Sequence, residues 1–502
     1  MRINTGRFLY RRAMLSPRQV GLCAEGREWS YAELNRRANR LAHSMARLGV
    51  RPGDRVGMLA QNGVEHFDLF FGLGKMGAIL VPINWRLTAS ELAGIIVDSG
   101  IRVLVHDPRY EEVVQEAKKR APMFEQVRTG AGGGPNQSYA DMLSVARDTE
   151  PAVSAGDGDE AVIIYAGWSG GRPRGVMLTH ANFFWASVTA IATINEPGAV
   201  FLLALPFYHI GGLGWLPIFM HLGIRCVLMP SFDAGEFLAL IGKEGVTSFG
   251  AVPTMLHFLK ESPEFARTDF SRLRNVLAYG SAVPVDLIED YARSGVKIRQ
   301  LYGLTESTGP ALVIDGEHAL IKAGSCGLPF FHTRVKLVDD IGMETSPGAI
   351  GEVIVSAGHV MKGYWDQPEA TTNALRGGWL YTGDLGKQDE DEYFYIVDRK
   401  KDMIISGGEN VYPAEVESAI VDHPAVMDVA VIGAKDKIWG EMVKAVIVKK
   451  KGRDLTEKEL TEWLKGKIAP FKIPRIVSFA ESMPRTLTGK MEKRRLREGD
   501  TL

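Results

Sequence analysis

The chain has 502 residues, 45% hydrophobic and 24% charged, long enough for two or more domains and too rich in apolar residues for a disordered segment. Lys and Arg total 59 against 60 for Asp and Glu, so overall charge gives no reason to expect nucleic acid or an anionic membrane as partner, and any phosphate binding must be local. Cys23, Cys226 and Cys326 are odd in number and widely separated, show no Cys-x-x-Cys metal pairing, and fit a reducing cytoplasm.

From the N terminus, residues 1–20 carry Arg2, Arg7, Arg11, Arg12 and Arg18 with no acidic residue, the charge pattern of an organellar presequence. They run straight into domain-like sequence, so a cytoplasmic location is the expectation. Residues 31–49 place Leu34, Ala38, Leu41, Ala42, Met45 and Leu48 at helical spacing, and Gly49 with Pro52 stops the helix. A strand at 55–59, a helix around 66–76, apolar 78–82, a helix around 90–98 and a strand at 102–105 follow. Apolar runs such as 199–205 are shorter than the roughly 20 residues a bilayer needs, so no integral membrane segment is expected. Gly/Pro-rich 130–135 reads as a surface loop. This alternation predicts an α/β fold, with a large N-terminal domain (1–397) of layered mixed and parallel sheets and helices. Beyond the strand-like 393–397, a helix at 413–421, strands at 426–432 and 444–448 and a helix at 456–468 predict a small α+β domain over 402–502, about 100 residues. The boundary falls at 398–401.

The chemistry lies in a few segments. YAGWSGGRPRGVMLTH (165–180) is a Gly-rich, basic loop after an apolar strand, and successive backbone N–H groups in such a loop make an anion nest. QLYGLTE (300–306) sets an aromatic, a glycine, a hydroxyl and a carboxylate together, suited to base stacking, phosphate contact and magnesium ligation. YTGDL (381–385) offers Asp384 to sugar hydroxyls. DRKKDMIISGGENVYPAEVE (398–417) and PRTLTGKMEKRRL (484–496) complete the series.

In this order, with WSYAELN (29–35), LPFYHIGGL (205–213), GSCGLP (324–329) and FKIPR (471–475), the segments resemble the adenylate-forming superfamily of acyl-CoA synthetases, firefly-type luciferases and nonribosomal peptide adenylation domains, over essentially the whole chain. The resemblance implies that a carboxylate attacks the α-phosphate of ATP, pyrophosphate leaves, and a second nucleophile, CoA in the leading reading, takes the acyl group. Catalysis then rests on positioning and electrostatics.

On the matching positions, Lys490 resembles the lysine that contacts the attacking carboxylate and α-phosphate. Thr305 corresponds to the α-phosphate contact, Glu306 to the Mg2+ ligand, and Tyr302 with Gly303 to the adenine side. Ser281, Ala282 and Val283 replace the family's Gly-Ala-Pro stretch along adenine. Asp384 and Arg399 match the ribose pair, Lys401 the hinge about which a mobile small domain rotates, and Gly407, Gly408 and Glu409 the pantetheine approach. His209 matches the residue that stands between acyl pocket and thiol tunnel in related ligases. The acyl pocket is assigned to His209, Gly211, Gly212, Trp215, Gly250, Tyr279, Gly280, Gly303 and Pro310, a largely apolar or aromatic set that implies a fatty or aryl acid.

The phosphate loop, assigned to Ser169, Gly170, Gly171 and Arg174, departs from the family pattern Y-T-S-G-T-T-G-x-P-K-G. Trp168 stands where a glycine turns tightly, and Ala166, Gly167 and Gly170 lack hydroxyls, each loss worth about 1.5–3 kcal/mol if the hydroxyl touched a charged phosphate. This predicts a loop altered by engineering or specialisation, with adenylation slowed more than thioester formation. The alternatives are an ATP-dependent amide synthetase and a catalytically weak acyl-adenylate-binding protein. Any oligomer is expected to be a homodimer.

Overall fold

A computed structural model describes residues 3–130, 137–153, 155–169, 172–194, 198–400, 402–406, 409–436, 440–465, 467–468, 470–485 and 491–498. The helix expected at 31–49 is Tyr31–Arg47. Ser30 caps it, accepting from the Glu33 N–H while the Glu33 carboxylate accepts from the Ser30 N–H, and Leu34, Ala38, Leu41, Ala42 and Met45 form its buried stripe. Gly49 at φ +78° turns the chain out. The next elements follow the periodicity closely: strand Arg55–Leu59, helix Val64–Met76, strand Ile79–Pro82, helix Ala89–Ser99 and strand Ile101–His106. The three strands are parallel neighbours in an eight-stranded sheet. Its side chains join Leu92, Ile95, Ile96 and Val114 in one apolar core. The loop expected at 130–135 lies, beyond Gly130, outside the described residues.

A nine-stranded sheet holds the parallel run Arg225–Leu228, Val200–Leu203, Ser248–Ala251, Asn275–Tyr279 and Ile298–Tyr302, and turns antiparallel at Leu312–Ile314. Most residues of these strands are buried, as in a parallel sheet covered on both faces, with Ile298–Tyr302 the more exposed and polar one. Ligand sites in α/β sheets lie at the carboxyl ends of parallel strands, which here end in Ala251, Tyr279 and Tyr302.

The chain divides into two compact units, one of Met1–Val335 with Val355–Tyr381, the other of Lys336–Ile354 with Thr382–Leu502. Residues 382–397 and the stretch Lys336–Ile354 thus share a body with the C-terminal residues. In the second unit, strands Ile404–Ser406, Glu409–Val411, Val426–Asp436, Gly440–Lys449 and Ile476–Ala480 form one sheet. Helices Pro413–Val421 and Glu457–Leu464 cover it through Val416, Ile420, Leu460 and Leu464. The second helix stops short of the expected 468 because Lys465 is extended (ψ 127°). Among the described residues, no helix is long and apolar enough to cross a membrane.

Candidate active site

At the carboxyl end of strand Asn275–Tyr279, Tyr279 organises the expected acyl pocket. Its hydroxyl donates to the Gly211 carbonyl (2.8 Å) and accepts from Trp215 Nε1–H (2.9 Å), and burial pushes the phenol's pKa up, which keeps it a donor. Two glycines make room for the ring: a Cβ on Gly250 would lie 2.3 Å from the Tyr279 hydroxyl and one on Gly211 2.8 Å from Cε2. A Cβ on Gly212 would meet the Pro206 carbonyl oxygen at 2.4 Å. Trp215 packs on Phe201, ring centroids 4.3 Å apart, and half-buried His209 caps the short helix Ile210–Leu213 beside Tyr208. The structure therefore joins Gly211 and Trp215, Gly250, and Tyr279, from three separate stretches of sequence, around one aromatic wall. Tyr279→Phe leaves the Trp215 N–H and the Gly211 carbonyl without this partner, at about 1–3 kcal/mol. The expected outcome is a roughly tenfold or greater rise in KM for the acid with KM for ATP unchanged, read from initial rates.

On the expected nucleotide side, Gly280 takes φ +95°, a conformation that favours glycine, and Ser281 and Ala282 after it are exposed. The Val283 N–H donates to Gln300 Oε1 (3.1 Å), and buried Gln300 donates through Nε2 to the Ser325 carbonyl (3.4 Å). Gln300 is a positioning residue that sequence reasoning passed over, a buried amide between Arg299 and Leu301 in the strand Ile298–Tyr302.

After Tyr302 the chain folds back so that Ala311 N–H reaches the Tyr302 carbonyl (3.0 Å). A Cβ on Gly303 would fall 1.5 Å from the Gly309 carbonyl oxygen, so only glycine fits there. Thr305 and Glu306, both half-buried, sit on the 3-10 turn Thr305–Ser307, followed by Thr308 and Gly309 at φ +53° and +110°, with half-buried Pro310 next. Fully buried His359, also unforeseen, clamps this turn. Its Nδ1 donates to the Ser307 carbonyl (2.7 Å), Nε2 accepts from Thr333 Oγ1 (2.8 Å), and its carbonyl accepts from Thr308 Oγ1 (2.6 Å). Burial holds the imidazole down to about 4, so one ring nitrogen donates and the other accepts at neutral pH.

The Gly-rich segment is a hairpin of Glu160–Ser169 against Arg172–Thr179, with Tyr165 opposite Gly175, Trp168 opposite Pro173 and Ser169 opposite Arg172. Gly170 and Gly171 lie outside the described residues. Trp168 lies within the strand Glu160–Ser169, next to a register shift between Tyr165 and Trp168. The Arg174 guanidinium lies 4.9 Å over the Tyr364 ring, and the Tyr364 hydroxyl donates to Glu306 Oε1 (3.0 Å). Glu306 Oε2 receives no hydrogen bond from the described residues. A carboxylate held this way suits a hard divalent cation. The described residues contain no group of three or more His, Cys, Asp and Glu able to hold a metal.

In the second unit, Asp384 and Arg399 are cross-strand partners, Arg399 Nε 3.0 Å from Asp384 Oδ1, with Asp384 buried and the Arg399 side chain half exposed. Thr382 Oγ1 accepts from the Asp384 N–H (3.0 Å) and donates to the Val353 carbonyl (2.7 Å). Glu352 accepts from the Gly383 N–H (3.1 Å) and pairs with Lys400 (3.2 Å). Glu409 begins the strand Glu409–Val411. Lys401, Gly407, Gly408 and Lys490 lie outside the described residues.

The pattern of the AMP-binding enzyme family matches residues 9–365, and that of the AMP-binding enzyme C-terminal domain matches residues 415–490. The chain is 40% identical over 495 residues to a feruloyl-CoA synthase of Amycolatopsis sp, covering 98% of each. It is 39% identical over 498 residues to the long-chain-fatty-acid–CoA ligase FadD13 of Mycobacterium tuberculosis (strain ATCC 25618 / H37Rv), covering 99% of this chain and 98% of that protein. The structure of O-succinylbenzoate coenzyme A synthetase (MenE) from Bacillus subtilis, in complex with ATP and magnesium ion, superposes with a TM-score of 0.86 at 31% identity, covering 98% of each chain. Sequence motifs, fold and relatives agree over nearly the full length, and the chain belongs to the adenylate-forming AMP-binding enzyme family as an AMP-forming acid:CoA ligase.

Proposed function

We propose that the chain activates an apolar monocarboxylic acid, fatty or aryl, with ATP and transfers the acyl group to CoA. The observation that carries this reading is the wall built by Trp215, Tyr279 and Gly211. Its polar groups satisfy one another, which leaves aromatic surface and no charged side chain for the acyl group to meet. Relatives near 40% identity that act on ferulate and on long-chain fatty acids support the same class.

In the first step a carboxylate oxygen bonds to the α-phosphorus of ATP and the bond to the pyrophosphate oxygen breaks. In the second, the CoA sulfur bonds to the acyl carbon and AMP leaves. We assign Lys490 to charge stabilisation between carboxylate and α-phosphate, Thr305 to an α-phosphate oxygen, and Arg174 with the hairpin N–H groups to the leaving pyrophosphate. Bound magnesium would supply Lewis-acid neutralisation of phosphate charge, held by Glu306. Tyr302, Gly303 and the stretch Ser281, Ala282 and Val283 line adenine, while Asp384 and Arg399 hold the ribose. Lys401 serves as the pivot between the two steps, His209 gates the thiol path, and Gly407, Gly408 and Glu409 meet the pantetheine.

A panel of carboxylates with ATP, magnesium and CoA tests the substrate class: acyl-CoA is expected from cinnamic-type or fatty monocarboxylates. Faster turnover of a short dicarboxylate such as malonate would contradict it. The reading also assigns a slow first step to the phosphate hairpin. Trp168→Gly is expected to raise the rate of pyrophosphate release while leaving thioester formation from added acyl-adenylate unchanged, and the absence of any gain in ATP-dependent turnover would remove that assignment.

A further inference from the structure

Residues 361–367 are stitched to both phosphate-side elements of the larger unit. Met361 N–H donates to the Glu306 carbonyl (2.8 Å), Lys362 N–H to the Met177 carbonyl (3.0 Å), Trp365 N–H to the Gly175 carbonyl (2.7 Å) and Gln367 Nε2 to the Pro173 carbonyl (2.9 Å). Between these ties, Gly363 and Tyr364 pair antiparallel with Met177 and Val176 of the hairpin. Tyr364 is buried, its N–H held by Thr371 Oγ1 (2.9 Å), so its ring has little freedom. The face of that ring lies under the Arg174 guanidinium, and its hydroxyl hydrogen-bonds Glu306 Oε1. The hydroxyl is the donor in this contact, and the Glu306 carboxylate oxygen accepts.

We propose that Tyr364 is a positioning residue for the metal: by holding one oxygen of Glu306 it sets the carboxylate's rotation and presents the other oxygen to the divalent cation, in register with Arg174 on the phosphate hairpin. The inference rests on Glu306 being the metal ligand. A carboxylate without such an outer partner loses orientation, and loss of an outer-shell hydrogen bond typically costs about 10- to 100-fold in metal affinity. Tyr364 also pairs with Val176 on the strand that carries Arg174, so the same residue ties cation and pyrophosphate contacts to one sheet edge.

The test is Mn2+ titrated into the full chain saturated with α,β-methylene-ATP and followed by EPR, for wild type, Tyr364→Phe and Glu306→Gln, with the Mg2+ half-saturation of AMP formation measured alongside. Tyr364→Phe keeps the ring under Arg174, so its Tm is expected to stay near that of wild type. The expected result is that Tyr364→Phe weakens Mn2+ binding about 10-fold or more and raises the Mg2+ requirement, with KM for the acid unchanged. Weakened binding in Glu306→Gln alone, with Tyr364→Phe equal to wild type, would overturn the positioning role. Unchanged binding in Glu306→Gln would instead overturn the ligand assignment beneath it.

Discussion

Gly303→Ala is expected to abolish most ATP-dependent activity and to lower stability together. The added Cβ would lie 1.5 Å from the Gly309 carbonyl oxygen, and both partners are backbone, so no side chain can swing aside. The chain must open the turn that carries Thr305 and Glu306 and disturb the His359 clamp on Ser307 and Thr308. Overpacking of this kind costs about 1–3 kcal/mol. A shift of about 1 Å in groups that align a phosphoryl transfer costs on the order of 100-fold in rate. Differential scanning fluorimetry and pyrophosphate release check both halves of this expectation, and wild-type kinetics with a wild-type Tm would show that the turn does not position the reaction.

Lys490→Ala is expected to separate the two half-reactions. The assignment rests on the match of PRTLTGK at 484–490 to the family motif. A cation placed where charge builds between carboxylate and α-phosphate contributes to the first transition state only, so its removal is expected to slow adenylation by about 10²–10³-fold, the magnitude of losing one preorganised charge-stabilising donor. Acyl-CoA formation from synthetic acyl-adenylate and CoA is expected to stay within a few-fold of wild type. Equal losses in both half-reactions, measured by single-turnover quench, would place Lys490 outside this role.

Much of the architecture was legible because burial imposes period. The helix stripe Leu34, Ala38, Leu41, Ala42, Met45 and the apolar strands around Val56, Val81 and Val103 state their partners' hydrophobicity in the sequence itself. Asp384 and Arg399 were legible as a pair through their motifs, and the hairpin that joins them supplies the reason. Tyr364, His359 and Gln300 were not legible. Each works through hydrogen bonds to groups far away in sequence, and one tyrosine, histidine or glutamine beside apolar residues carries no periodic mark of its partner. The grouping of Lys336–Ile354 with the second unit was hidden for the same reason, since the Glu352 contacts to Gly383 and Lys400 span tens of residues.

The central claim is that the acyl group passes through a mixed anhydride with AMP. Its most direct test uses a carboxylic acid labelled with oxygen-18 in both carboxyl oxygens, with the chain, ATP, magnesium and CoA, and mass analysis of the nucleotide product. Attack of the carboxylate on the α-phosphorus followed by thiolysis at the acyl carbon predicts AMP carrying one labelled oxygen, equimolar with acyl-CoA that retains the other. Unlabelled AMP, or ADP with labelled inorganic phosphate, would contradict it.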